Sequence, residues 1–193
     1  MAEATEAALI LYTEATPNPE TLKFVSNRML LPNVVAEFKS LEESEDSAMA
    51  RELFHFPFVK QVFITNNFIT VTKTQEQDWA DIMLPIKDFI REYLESGKEV
   101  IVEGYQPPQQ ESDLDDDEIV TKIKEMLITY VKPAVEMDGG NIEFSKYEEG
   151  VVTLKMQGAC SGCPSSTVTL KSGIEGLLKR MVPEVKEVIA EEG

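Results

Sequence analysis

The residues best suited to chemistry are two thiols. Cys160 and Cys163 lie three positions apart in Gly158-Ala159-Cys160-Ser161-Gly162-Cys163-Pro164-Ser165-Ser166, and the 193-residue chain has no other cysteine. The single histidine, His55, lies far upstream. A two-residue gap lets both sulfurs point to one side of a tight loop. Iron–sulfur cubes take four thiolates, and zinc takes four ligands from Cys, His or carboxylate. One chain offers half of a four-thiolate shell. Two copies complete it if each brings the same loop to a twofold axis. A centre held that way sits near solvent and is releasable. The other chemistry open to the pair is thiol–disulfide exchange, since strand–CxxC–helix is also the setting of a thioredoxin-type redox motif. Against that use, the intervening residues are Ser161 and Gly162, and the surrounding order is not a thioredoxin βαβ pattern. A structural zinc half-site and two idle thiols complete the alternatives.

The neighbours of the pair bear on this choice. Pro164 falls where the first turn of a following helix should be, a favoured proline position. Unpaired N–H groups at such a helix start lower a thiol pKa and favour thiolates. Gly158 and Gly162 remove side chains where a bulky centre must approach the backbone. Ser165, Ser166 and Thr167 suit a helix start, where they bond orphan N–H groups. Asp138 reads as part of a helix-ending Asp-Gly-Gly turn, Lys155 and Lys171 as solvated lysines, and His55 as a packed or half-exposed residue with no ligand role. Nothing in the pattern marks an acid–base partner for a hydrolase, and the chain is not expected to be an enzyme.

The elements that must position the thiols fall into two halves. In the first, Leu9–Tyr12 and Thr21–Val25 read as strands flanking Thr16-Pro17-Asn18-Pro19, a segment that reads equally as a rigid turn or as a partner-binding loop. Ser47 caps a short helix to Phe54. Val59–Ile64 and Phe68–Thr72 are strands around an Asn66-Asn67 hairpin signal. Trp79–Leu94 is a helix interrupted by Pro85, with Ile82, Ile86, Phe89, Ile90 and Tyr93 at helical spacing. Phe24, Phe54, Phe63, Phe68 and Trp79 are the expected aromatic core. The order is ββαββα.

In the second half, Ile119, Ile123, Met126, Leu127, Tyr130 and Ala134 form one face of a helix that Pro133 bends and Asp138-Gly139-Gly140 ends. Ile142, Phe144 and Lys146 alternate in a strand, Glu149-Gly150 turns the chain, and Val152, Leu154 and Met156 share a face of the next strand. After the cysteines, Leu170, Ile174, Leu177, Leu178 and Met181 make a helical stripe. Val185–Ile189 closes the order αββαβ. The expected fold class is α+β with two small domains: residues 1–97, a Pro-containing acidic linker over 98–117, and residues 118–193.

Composition narrows the partners. Thirty-five acidic against 18 basic residues give a net charge of −17, while 42% of residues are hydrophobic. Such a chain repels phosphate backbones and anionic headgroups, so neither nucleic acid nor membrane is an expected partner. Two cysteines are not a disulfide scaffold. The start Met1-Ala2-Glu3-Ala4-Thr5-Glu6 has no basic or apolar leader pattern, and no apolar run reaches bilayer-spanning length. A reducing, cytoplasmic setting is the expectation.

The stretch Gln157–Lys171, followed by Gly173-Ile174-Glu175 and Val182-Pro183-Glu184-Val185, closely resembles the C-terminal domain of NifU, the Nfu-type iron–sulfur domain. Asp138-Gly139-Gly140-Asn141-Ile142-Glu143 also resembles that family's motif, with Asn141 where the family more often has aspartate. The first half resembles the Nfu N-terminal domain through Glu14-Ala15-Thr16-Pro17-Asn18-Pro19-Glu20-Thr21-Leu22-Lys23-Phe24, Ala50–Phe54, Val59–Phe63 and Asn67–Lys73. The chain lacks the further cysteines of full NifU, so the likeness is to a stand-alone Nfu protein. The resemblance implies that Cys160 and Cys163 bind a [4Fe–4S] cluster, and hence iron, across a homodimer. It also implies that the cluster comes from an upstream assembly scaffold and goes on to apo iron–sulfur proteins. The alternative is a thiol–disulfide or persulfide oxidoreductase using the same pair.

Overall fold

The computed structural model describes residues 8–107, 118–162 and 164–192. The part of the expected linker over residues 108–117 lies outside them, as does Cys163. The fold is α+β, and the chain packs as two compact units, Met1–Glu14 with Lys23–Tyr105, and Ala15–Leu22 with Gln106–Gly193.

The first unit is built on a five-stranded sheet: β1 (Leu11–Ala15), β2 (Thr21–Ser26), β3 (Leu31–Phe38), β4 (Val59–Asn66) and β5 (Phe68–Lys73), in the order β1-β2-β5-β4-β3. β4 and β5 form the expected hairpin, with Thr65 opposite Phe68 and Asn66 at φ 43° supplying the tight turn. The strand β3 is an addition to the expected order. Pro32 and Asn33 interrupt its alternation, and Asn33 takes φ 58° at an irregularity between Leu31 and Val35. Proline is tolerated there because β3 is an edge strand.

Helix α1 (Ala48–Leu53) buries Met49, Ala50 and Leu53, and α2 (Trp79–Glu95) buries Ile82, Ile86, Ile90, Tyr93 and Leu94. Helix α2 runs through Pro85 without a break. Phe24, Phe63 and Phe68 are buried as expected, whereas Phe54 and Trp79 are half-buried and His55 is exposed. Lys23, buried, pairs with Glu14 at 3.0 Å and lies 4.5 Å from the centre of the Phe68 ring.

Ser47 is the hinge of the unit's last segment. Its Oγ accepts from Ala50 N at 3.1 Å, capping α1, and donates to the Val100 carbonyl at 2.7 Å. Val102 N donates to Asp46 O (2.9 Å), the Tyr93 hydroxyl donates to Glu99 O (2.8 Å), and the Tyr105 and Phe38 rings lie 6.5 Å apart. Residues 98–105, at the start of the expected linker, thus pack with the first unit, where Val100 and Val102 are anchored by these bonds.

In the second unit, α3 (Glu118–Met126) passes through a π-helical turn, Leu127–Val131, into α4 (Lys132–Met137). A three-stranded sheet of β6 (Gly140–Glu148), β7 (Val151–Gly158) and β8 (Glu187–Glu192) has the order β6-β7-β8, antiparallel then parallel. Helix α5 (Pro164–Met181) makes the crossover between the parallel strands. The order αββαβ is as expected. The core gathers Ile123, Leu127, Val131 and Val135 with Ile142, Val152, Leu154, Met156, Ile174 and Leu178.

The inward face of the first helix departs from expectation. Tyr130 is 56% exposed and Ala134 is exposed, while Val131 and Val135 are buried. The π turn holds an extra residue per turn and shifts the buried stripe by one position. In β6, a register shift between Phe144 and Lys146 likewise packs Tyr147 against the core in place of Lys146.

Ser47→Ala removes both the cap and the partner of a carbonyl. It should lower stability by about 1–2 kcal/mol, read as a reduced urea midpoint with unchanged slope.

Candidate functional site

The β6–β7 hairpin fixes the cysteine turn at its far end. Glu149 (φ 51°) and Gly150 (φ 93°) form a turn with two positive-φ residues, closing on the pair Glu148–Val151. The ladder then runs to Asn141 opposite Gln157 and Gly140 opposite Gly158. Gly139, at φ 83°, ends α4 and turns the chain into β6. Beyond Gly158 the chain folds tightly: Ala159 N donates to Gly139 O (3.2 Å), Cys160 N to Gln157 O (3.4 Å), and both Ser161 N and Ser161 Oγ to Gly158 O (3.1 Å). Helix α5 begins at Pro164, the expected place.

Cys160 does not face water. It is 6% exposed and belongs to the hydrophobic cluster of the second unit. Its Sγ lies 2.6 Å from where a Cβ on Gly140 would stand, and the Gln157 carbonyl lies 2.7 Å from the same point. Real Cβ atoms do not approach other atoms that closely. Residue 140 must therefore lack a side chain for the sulfur to sit where it does. Burial, reinforced by the charge of Asp138, pushes the Cys160 thiol up from 9.0 to about 12. This is opposite to the lowering expected from a helix start. Cys160 sits in the strand-end turn ahead of α5, and loss of solvent dominates there. A protonated thiol is a poor attacking group, so the arrangement of Cys160 gives no support to a redox role at neutral pH.

Asp138, exposed, is the C-cap of α4 as expected, and it also carries charge towards the thiol. Asn141 is buried and its Nδ2 donates to Gln157 Oε1 at 2.8 Å, a cross-strand pair one step from Gly140–Gly158. Lys155 and Lys171 are half-exposed. His55 lies in the first unit, and the side chains of Ser165, Ser166 and Thr167 lie outside the described residues. Among the described residues, no group of three or more His, Cys, Asp or Glu side chains is placed to hold a metal ion. No helix among them is long and apolar enough to cross a membrane.

Sequence reasoning missed one participant. Asn18, in the Ala15–Leu22 segment of the second unit, lies 3.4 Å through its Nδ2 from the carbonyls of both Ala159 and Ser161. The Pro-Asn-Pro signal marked the rigidity of that segment but not its destination.

These elements define a two-domain α+β protein with a thiol turn between a strand and a helix. Residues 11–97 match the family described as "Scaffold protein Nfu/NifU N terminal", and residues 123–189 match the "NifU-like domain". The human "NFU1 iron-sulfur cluster scaffold homolog, mitochondrial" is 39% identical over 181 residues, 93% of this chain and 71% of that protein. The protein of the same name from Drosophila virilis is 40% identical over 189 residues, 97% of this chain and 63% of that protein. Parts of both relatives thus have no counterpart in this sequence. A solution NMR structure of a NifU-like protein from Saccharomyces cerevisiae is 25% identical, with a TM-score of 0.45, over 53% of this chain and 92% of that one. The chain belongs to the Nfu/NifU family.

Two outcomes follow from the thiol's surroundings. Gly140→Ala should cost about 1–3 kcal/mol through overpacking against Sγ and a backbone carbonyl, measured by denaturant unfolding. The second concerns pH. The native state holds the Cys160 proton more tightly than the unfolded chain, so this contribution to stability is complete below about pH 9 and is lost as pH rises towards about 12. In the reduced, metal-free protein, the stability of the wild type relative to Cys160→Ala should therefore fall as pH is raised above about 9, measured by urea unfolding across that range.

Proposed function

We propose that this protein is an iron–sulfur cluster carrier and not an enzyme. Two copies hold one [4Fe–4S] cluster through Cys160 and Cys163 of each, receive it from an upstream assembly scaffold, and pass it to apo iron–sulfur proteins. The observation that carries this is the thiol count. A member of this family, whose relatives are named iron–sulfur cluster scaffold homologs, has two cysteines in all, three positions apart in the sequence, and its only histidine is exposed in the other unit. A four-thiolate shell then needs a second copy.

The cluster is cargo. Loading exchanges its existing thiolate ligands for those of the two turns, and each entering thiol gives up a proton to solvent as its Fe–S bond forms. Delivery runs the exchange in reverse, as acceptor thiolates displace the donor thiolates one at a time. Ligands are exchanged without net oxidation or reduction, so the step needs no co-reactant.

Anaerobic reconstitution with ferrous iron and sulfide, followed by native mass measurement, should give about four irons per two chains. The double variant Cys160→Ser, Cys163→Ser should bind none and remain without a cluster-linked dimer. Iron and sulfide retained by that variant, or a single chain holding four irons by itself, would overturn the proposal.

A further inference from the structure

The Asn18 turn is more completely bonded than a connecting loop requires. Asn18 is 3% exposed and lies between Pro17 and Pro19. Its Oδ1 accepts from Glu20 N at 3.0 Å, and its backbone N donates to Thr16 Oγ1 at 3.2 Å. Its carbonyl accepts from Thr16 Oγ1 (2.8 Å), Thr21 N (3.0 Å) and Thr21 Oγ1 (3.1 Å). Two prolines with fixed φ and this local network make the turn rigid in its own right. The side-chain amide then points both of its N–H groups at Ala159 O and Ser161 O, the carbonyls on either side of Cys160. Those two distances, both 3.4 Å, are long for hydrogen bonds. The arrangement is a rigid donor holding a yielding loop by two weak bonds.

The conformation so held turns the sulfur inward. Cys160 Sγ rests in the space that Gly140 leaves open, inside the apolar cluster. A sulfur there cannot bond to iron that a second chain also binds. We infer that Asn18 is a latch, a positioning residue that keeps the cysteine turn closed with Cys160 inside and must let go of the Ala159 and Ser161 carbonyls before that thiol can reach a shared metal centre. The latch rests on the carrier proposal only for the reason the thiol must emerge; its grip is a property of the cluster-free chain.

The test uses the full-length, reduced, metal-free protein. Wild type, Asn18→Ala and Asn18→Asp are treated with iodoacetamide, and labelling of Cys160 is followed over time by peptide mass, separately from Cys163. Asn18→Asp keeps Oδ1 for Glu20 N but sets a carboxylate against two carbonyl oxygens. Urea unfolding of each variant is measured in parallel. Both variants should label Cys160 about tenfold faster, the factor that two weak hydrogen bonds are worth, while unfolding stays cooperative and loses no more stability than that same factor represents. Labelling at the wild-type rate in either folded variant overturns the latch. So does acceleration accompanied by a loss of stability larger than the labelling factor accounts for, or failure of both variants to fold, since each of these makes Asn18 merely structural. Because no cluster is present, the result stands apart from iron stoichiometry. A working latch with no iron uptake would refute the carrier proposal alone, and normal uptake with unchanged labelling would refute the latch alone.

Discussion

The contact between the Cys160 sulfur and the backbone of residue 140 constrains most of the second unit. Sγ takes space that any side chain at 140 would claim, with the Gln157 carbonyl hard against the same spot. A glycine there permits β6 to start directly opposite Gly158. The residue before it, Gly139, must reverse the chain out of α4, and it does so with a positive φ. Helix end, strand start, hairpin register and thiol position are therefore one packing solution. A slip of one residue along β6 would carry Ile142 out of the core and Asn141 into it, and would bring Asn141's side chain opposite the position the sulfur needs.

Two irregularities keep that solution compatible with a filled core. The π turn at Leu127–Val131 advances the buried stripe, so that Val131 and Val135 face inward instead of Tyr130 and Ala134. Tyr130 would have brought a hydroxyl needing a partner into an apolar cluster. The shift after Phe144 performs the same correction in the strand, sparing the burial of Lys146 and packing Tyr147. Both lie in the elements that lead into or out of Gly140, and both change which face a run of residues presents without changing the elements themselves.

That distinction explains what was legible in the sequence. Patterns set by neighbours along the chain were readable: the Ser47 cap, the Asn66 hairpin, the helix-ending glycine, the hairpin at Glu149-Gly150 and the setting of Cys160 between a strand and a helix. The strand β3 was not, because Pro32 and Asn33 imitate a loop and are tolerated only through an edge position that a single sequence does not display. The phase of the first helix of the second unit was lost for a related reason, since a π turn has no residue signature and Tyr130 fits an ideal helical face. The inward setting of Cys160 needed tertiary facts, namely the void at Gly140 and the apolar neighbours supplied by distant strands. Asn18, some 140 residues from the turn it touches, lay beyond the reach of any local pattern.

The setting of Cys160 bears on how tightly a carrier should hold its load. A preformed, solvent-facing thiolate would give the whole of its Fe–S bond energy to binding. If Cys160 binds the proposed cluster, part of that energy must first open the packed turn and remove a proton from a thiol that burial pushes up, and both costs reduce the affinity. On that proposal, the same terms would favour release: the sulfur would regain its proton and its place beside Gly140. Burial that would be a defect in a permanent metal site thus makes release easier, because the empty chain has a stable state of its own to fall back into. A cluster bound through this turn would then be held by the difference between its open and closed conformations, the closed one set by the backbone at Gly140 and the apolar packing around Cys160.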